Sequence, residues 1–88
     1  MIIRSQNKKA IVNLNMIDTI EERDNQIRYF SGGGMETVGL LGQYSTEEKA
    51  IKVLDMICDF YAEHLEELKC DEAPFVRVFF SMPQDSEV

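Results

Sequence analysis

Apolar positions along this chain change their period twice. Up to about Tyr44 they come in short, roughly alternating runs. From Ala50 they recur every three or four residues. After Pro74 they return to a run. The first regime predicts strands and the second a helix. Ile2, Ile3 and Arg4 open a strand, "SQNKK" turns, and "AIVNL" resumes with the β-branched residues Ile11 and Val12. "MIDTIEER" alternates imperfectly, because Ile20 falls out of step with Ile17 and Thr19, and this suggests a strand with a bulge. Asp24 and Asn25 form a turn dipeptide. "QIRYF", the loop "SGGGME" and "TVGLLGQY" together read as a hairpin, with Gly39 and Gly42 marking bulges or a close approach of the helix.

The helix announces itself at Ser45 and Glu48, which have the spacing of a capping box. Glu47 and Glu48 also lie where the helix dipole favours negative charge. Ala50, Leu54, Ile57, Tyr61, Leu65 and Leu68 then mark one face, flanked by Ile51, Val53, Cys58 and Phe60. The opposite face carries Glu48, Lys52, Asp55, Asp59, Glu63 and Glu66. A helix from Thr46 to about Lys69 would be roughly 36 Å long. Pro74 ends it, by biasing Ala73 toward extended backbone. "FVRVFF" is the last strand, with Val76, Val78 and Phe80 on one face and Phe75, Arg77 and Phe79 on the other. The expected architecture is therefore α+β: one domain over residues 1–82, in which a mostly antiparallel sheet of about five strands packs on one long helix. A C-terminal strand returns to that sheet. The strands before and after the helix are expected to be parallel neighbours through a right-handed crossover. Residues 83–88 are expected to form a flexible polar tail.

Composition adds a compartment and some exclusions. The chain has 88 residues, 44 % hydrophobic and 28 % charged, which suits one modest core. No apolar run approaches the ~18 residues of a membrane span, nor the region of about 7–15 residues of a secretory signal. The expected location is the cytoplasm, where Cys58 and Cys70 would stay reduced. The net charge is −7. Residues 1–44 carry five basic and five acidic residues, whereas residues 45–88 carry four and eleven, so the whole imbalance follows Tyr44. Such a surface repels phosphate, and direct nucleic-acid binding is not expected.

No cofactor, metal or catalytic chemistry is expected either. The five glycines of "SGGGMETVGLLG" lack the Lys-Ser/Thr of a phosphate loop, and Thr37 stands where a dinucleotide loop needs glycine. Cys58, His64 and Cys70 are spaced six and six, so on a helix they point to different sides. The single histidine has no nucleophile near it in sequence. Carboxylates at helical spacing on a polar face are ordinarily solvated charge.

Two functional expectations remain. In "FVRVFF" the apolar residues Phe75 and Phe79 share a face with Arg77, although a half-buried strand should alternate apolar with polar. Phe75, Arg77 and Phe79, together with Tyr29 or Phe30, are candidates for a homodimer or partner-protein interface. The preferred function is thus a non-enzymatic protein-interaction or self-associating module. The alternative is an acidic inhibitor of a nucleic-acid-binding protein, of the kind found in phages, in which the helix carboxylates imitate DNA.

Finally, Ile3-Arg4-Ser5-Gln6 with Val12-Asn13, Leu41-Gly42-Gln43-Tyr44-Ser45-Thr46-Glu47 with Ala50, Val53-Leu54 and Ile57, and Met82-Pro83 form a recognisable pattern. It resembles a family of small uncharacterised proteins from Gram-positive bacteria and their phages. The resemblance implies an architecture and a cellular context, and it brings no site residues.

Overall fold

A computed structural model describes residues 1–31, 38–65 and 78–88. It has the expected α+β class, built from six strands and one long helix. The strands form two three-stranded sheets where the sequence suggested one of about five. One sheet has the order β2–β1–β6, from β1 (Ile2–Arg4), β2 (Ile11–Asn13) and β6 (Phe79–Ser81). The other has the order β3–β4–β5, from β3 (Thr19–Arg23), β4 (Gln26–Phe30) and β5 (Gly39–Gln43). The helix α1 spans Glu47–Glu63 and lies against β3 and β4.

The second sheet follows local chemistry. Asp24 and Asn25, both with left-handed backbone (φ 54° and 66°), make the two-residue turn between β3 and β4. That twist suits the strands it joins, and Asp and Asn tolerate it better than most residues. The irregularity anticipated near Ile20 lies elsewhere. Between β4 and β5 the pairing steps from Ile27↔Gly42 to Arg28↔Leu40, so Leu41 is the extra residue. Gly39 is needed for a close approach, but of an aromatic ring and not of the helix. A Cβ there would sit 2.5 Å from the ring of Tyr29, its cross-strand partner.

β6 pairs in parallel with β1, not with the strand before the helix. This brings the two ends of the described chain together and encloses everything between them. Ile3 is the central residue of the arrangement: it faces Val12 on one side and Phe80 on the other, and it is fully buried. Val78, Phe80 and Met82 join it in a core that includes Ile27 and Leu41 of the second sheet and Ala50, Val53 and Ile57 of the helix. Phe60 extends the contact by meeting Phe80 edge to face at 5.2 Å.

The helix differs from expectation in two ways. Its N-cap is Thr46, whose hydroxyl accepts the Lys49 N–H at 3.1 Å, so the Ser45–Glu48 box does not form. Ser45 is occupied otherwise: its N–H donates to Asp85 Oδ1 at 2.7 Å. The buried stripe is also turned toward Val53 and away from Tyr61. Cys58, expected among the buried flanking residues, is exposed, as is Tyr61. Cys70 and the expected helical extension to Lys69 fall outside the described residues.

The C-terminal tail is a packed element. Met82 and Pro83 are buried, and Asp85–Glu87 form a short 3-10 turn. The expectation of a flexible segment from residue 83 gives way to a dense corner. Buried Tyr44 donates its hydroxyl to the Pro83 carbonyl at 2.8 Å. Gln6 joins four neighbours: its N–H donates to the Leu41 carbonyl, its Nε2 to the Pro83 carbonyl, its Oε1 accepts from Gln43 N–H, and its carbonyl accepts from Gln84 Nε2. Lys49 reaches the same corner, donating to the Asp85 carbonyl at 3.1 Å and pairing with its carboxylate at 3.5 Å.

Candidate contact surface

The outward face of the β2–β1–β6 sheet begins at the turn between β1 and β2. Ser5 is buried there and its hydroxyl is fully used, donating to Asn7 Oδ1 at 2.7 Å and accepting from Ala10 N–H at 3.1 Å. Asn7 Oδ1 also accepts the Lys9 N–H at 2.9 Å. The Lys8 N–H donates to the Ser5 carbonyl, and Lys8 itself adopts left-handed backbone at φ 65°. An L-residue with a β-carbon holds that conformation only when its surroundings impose it. The turn is therefore fixed, and it places Lys8 and Lys9 side by side next to Arg4, whose Nη2 approaches the Lys8 carbonyl at 3.4 Å.

Strand register completes the surface. Ile2 pairs with Phe79, and Arg4 lies between Ile11 and Ser81. These side chains share the face opposite Ile3 and Phe80, because successive strand residues alternate. Phe79 is 64 % exposed and Ile11 68 % exposed, a large apolar area for two residues on the flanking strands of one small sheet, with β1 between them. With Ile2, Arg4, Lys8, Lys9, Ala10 and Ser81 they line an open groove of about 460 Å³. Its lining combines the apolar Ile2, Ile11 and Phe79 with the cations Arg4, Lys8 and Lys9, and no acidic residue lines it among those described.

The chain offers a second unusual surface on the outer side of α1. Glu48, Ile51, Asp55, Asp59 and Ala62 follow one another at helical spacing, and all are exposed. Ile51 is 44 % exposed. In this stripe Ile51 and Ala62 are interspersed with three carboxylates, and exposed Lys52 lies beside them, so it is predominantly acidic where the groove is cationic.

Of the five residues expected at an interface, Phe79 lines the groove. Phe75 and Arg77 lie outside the described residues. Tyr29 and Phe30 leave the expected surface. Both belong to β4 of the other sheet: Tyr29 is half-buried against the core, and Phe30 is only 8 % exposed. Sequence reasoning missed Ile2, Arg4, Lys8, Lys9 and Ile11, which reach Phe79 only through the β1–β6 pairing. One signal was present: residues 1–17 contain three cations and no acid, in a chain of net charge −7.

Tyr44 and Asp85 of the C-terminal corner have shifted ionisation, but they serve the fold. Burial, reinforced by the nearby carboxylates of Asp85 and Glu87, pushes the Tyr44 phenol up to about 12. The Ser45 N–H bond to Asp85, with the Lys49 ammonium beside it, holds that carboxyl below its ordinary value. His64 stacks on Phe60 at 4.2 Å, and its Nδ1 lies 2.9 Å from the Phe60 carbonyl, so this ring closes the described end of the helix. No group of three His, Cys, Asp or Glu residues able to hold a metal occurs among the described residues, and no helix among them is long and apolar enough to cross a membrane. No family model, curated protein or solved structure matches the chain.

Proposed function

We propose that this protein acts by binding protein, without catalysis, through the outward face of its β2–β1–β6 sheet. The observation that carries this reading is the pair Phe79 and Ile11, each about two-thirds exposed beside Arg4 on one groove. An exposed aromatic next to arginine is the composition favoured at interface centres. Covering the two apolar side chains would contribute about 2–4 kcal/mol before the costs of association, so neighbouring residues must add area for a stable complex. The fixed β1–β2 turn lowers the backbone part of those costs, because the turn that carries Lys8 and Lys9 is already ordered.

A photo-crosslinking residue in place of Phe79, introduced in the native cells, tests the reading. A control in place of Arg23, on the other sheet, reports non-specific capture. The expected result is a discrete protein adduct from position 79 that is absent from position 23. The purified adduct partner should bind the wild type and not Phe79→Asp. Identical adducts from both positions, or none from position 79, would overturn it.

A further inference from the structure

We infer that the occupant of this groove is a second copy of the same chain, seated head to tail by the outer stripe of its α1 helix. The inference rests on the proposed protein-binding role of the groove and names the partner. Both halves of a complementary contact are present on one chain. The groove presents Phe79 and Ile11 together with Arg4, Lys8 and Lys9. The helix presents Ile51 and Ala62 beside Glu48, Asp55 and Asp59. Apolar meets apolar, and three cations meet a helix side that carries three carboxylates and one lysine, Lys52.

Two copies joined groove to groove would instead bring like charges together, at a cost in energy. The head-to-tail contact is heterologous, so it propagates as a chain or closes as a ring. A net charge of −7 on each copy opposes approach at long range. At about 0.15 M salt, charges more than ~8 Å apart are largely screened, whereas contact pairs are screened much less. Association is therefore favoured at moderate ionic strength and lost at high ionic strength. The groove is small, which places the assembly among weak, transient contacts.

Sedimentation of the full chain, from micromolar to about 1 mM, decides the matter. Wild type should show concentration-dependent growth near 0.1 M NaCl, weakened at least about tenfold near 1 M. Lys8→Glu with Lys9→Glu should sediment as a monomer, because an acidic groove then meets an acidic helix. Asp55→Lys with Asp59→Lys should also be monomeric, because both surfaces are then basic. A mixture of the two variants should associate again, which a merely structural role for these residues would not produce. A wild type that stays monomeric throughout, growth that is unaffected by salt, or a mixture that stays apart would overturn the inference. If the wild type stays monomeric while position 79 crosslinks a different protein, self-association falls and the protein-binding role stands. If position 79 also crosslinks nothing, both fall.

Discussion

The two faces of the β2–β1–β6 sheet obey different rules, although the same three short strands build them. On the inward face Ile3, Val78 and Phe80 are covered by the helix and the second sheet. On the outward face Phe79 and Ile11 remain mostly in solvent, and the nearby charges all have one sign. The inward face is explained by stability. The outward face is not, because an exposed phenylalanine adds little to folding, and three cations held together by a fixed turn repel one another. A feature that folding does not require is the better candidate for function.

This comparison is broken most directly by truncation on each face. Ile3→Ala should cost about 3 kcal/mol, because it opens a cavity between two strands and the core. Phe79→Thr keeps a strand-forming residue and should change stability by no more than about 0.5 kcal/mol, while removing any association through the groove. Urea melts of both variants measure the contrast. A cost for Phe79→Thr as large as that for Ile3→Ala would make Phe79 a folding residue and remove the reason to call the outward face a contact surface.

The C-terminal corner belongs with the inward face, and Tyr44 tests that assignment. Tyr44→Phe removes the hydroxyl bonded to Pro83 and should cost about 1 kcal/mol at neutral pH. The wild type should also weaken at alkaline pH. An unfolded tyrosine ionises near 10.0, whereas Tyr44 in the folded chain is pushed up to about 12. The unfolded chain thus loses its proton first. The contribution is intact below the lower value and disappears as pH rises from one value to the other. Tyr44→Phe should lack this alkaline loss. An unchanged alkaline limb in the variant would mean that the corner opens before the phenol titrates.

How much of this was legible in the sequence depended on the range of the interactions. The α+β class, the Asp24–Asn25 turn and the alternation of Val78, Phe79 and Phe80 follow from local patterns, and each stands in the structure. Division into two sheets was not legible, because the paired residues of β1 and β6 are 77 positions apart and only three pairs form. Without that pairing, Phe79 could not be joined to Arg4, Lys8 and Ile11. Tyr29 and Phe30 were assigned to the surface for the same reason: composition marks an aromatic, not the sheet that covers it. The tail misled because its residues are polar. Its order comes from Gln6, Tyr44 and Lys49, none of them near it in sequence.

The helix start sharpens the same lesson at single-residue resolution. Ser45 had the better sequence signature, yet the side chain that caps the helix belongs to Thr46. Thr46→Ala should therefore cost about 1 kcal/mol. Ser45→Ala should cost less than half of that, because the Ser45 hydrogen bond to Asp85 uses the backbone N–H, which alanine retains. Thermal melts of the pair rank the two. The reverse order would restore the Ser45–Glu48 box and shift the start of the helix by one residue.

Asp85 should give the smallest effect, since it is partly open to solvent and its ion pair with Lys49 is screened. Its sign is nevertheless definite. The Ser45 N–H bond comes first in holding this carboxyl below its ordinary value of 3.8, and Lys49 adds to it. A depressed folded value means that the unfolded chain takes up the proton first as pH falls. The stabilisation is thus present above 3.8 and is lost as pH descends through the folded value. Asp85→Asn retains an oxygen for the Ser45 N–H but no charge, so its stability should fall less steeply than that of the wild type on the acid side. Urea melts from about pH 6 to about pH 2 compare the two slopes. Parallel slopes would show that the corner holds through shape and neutral hydrogen bonds alone. It would then differ from the outward groove in charge as well as in burial.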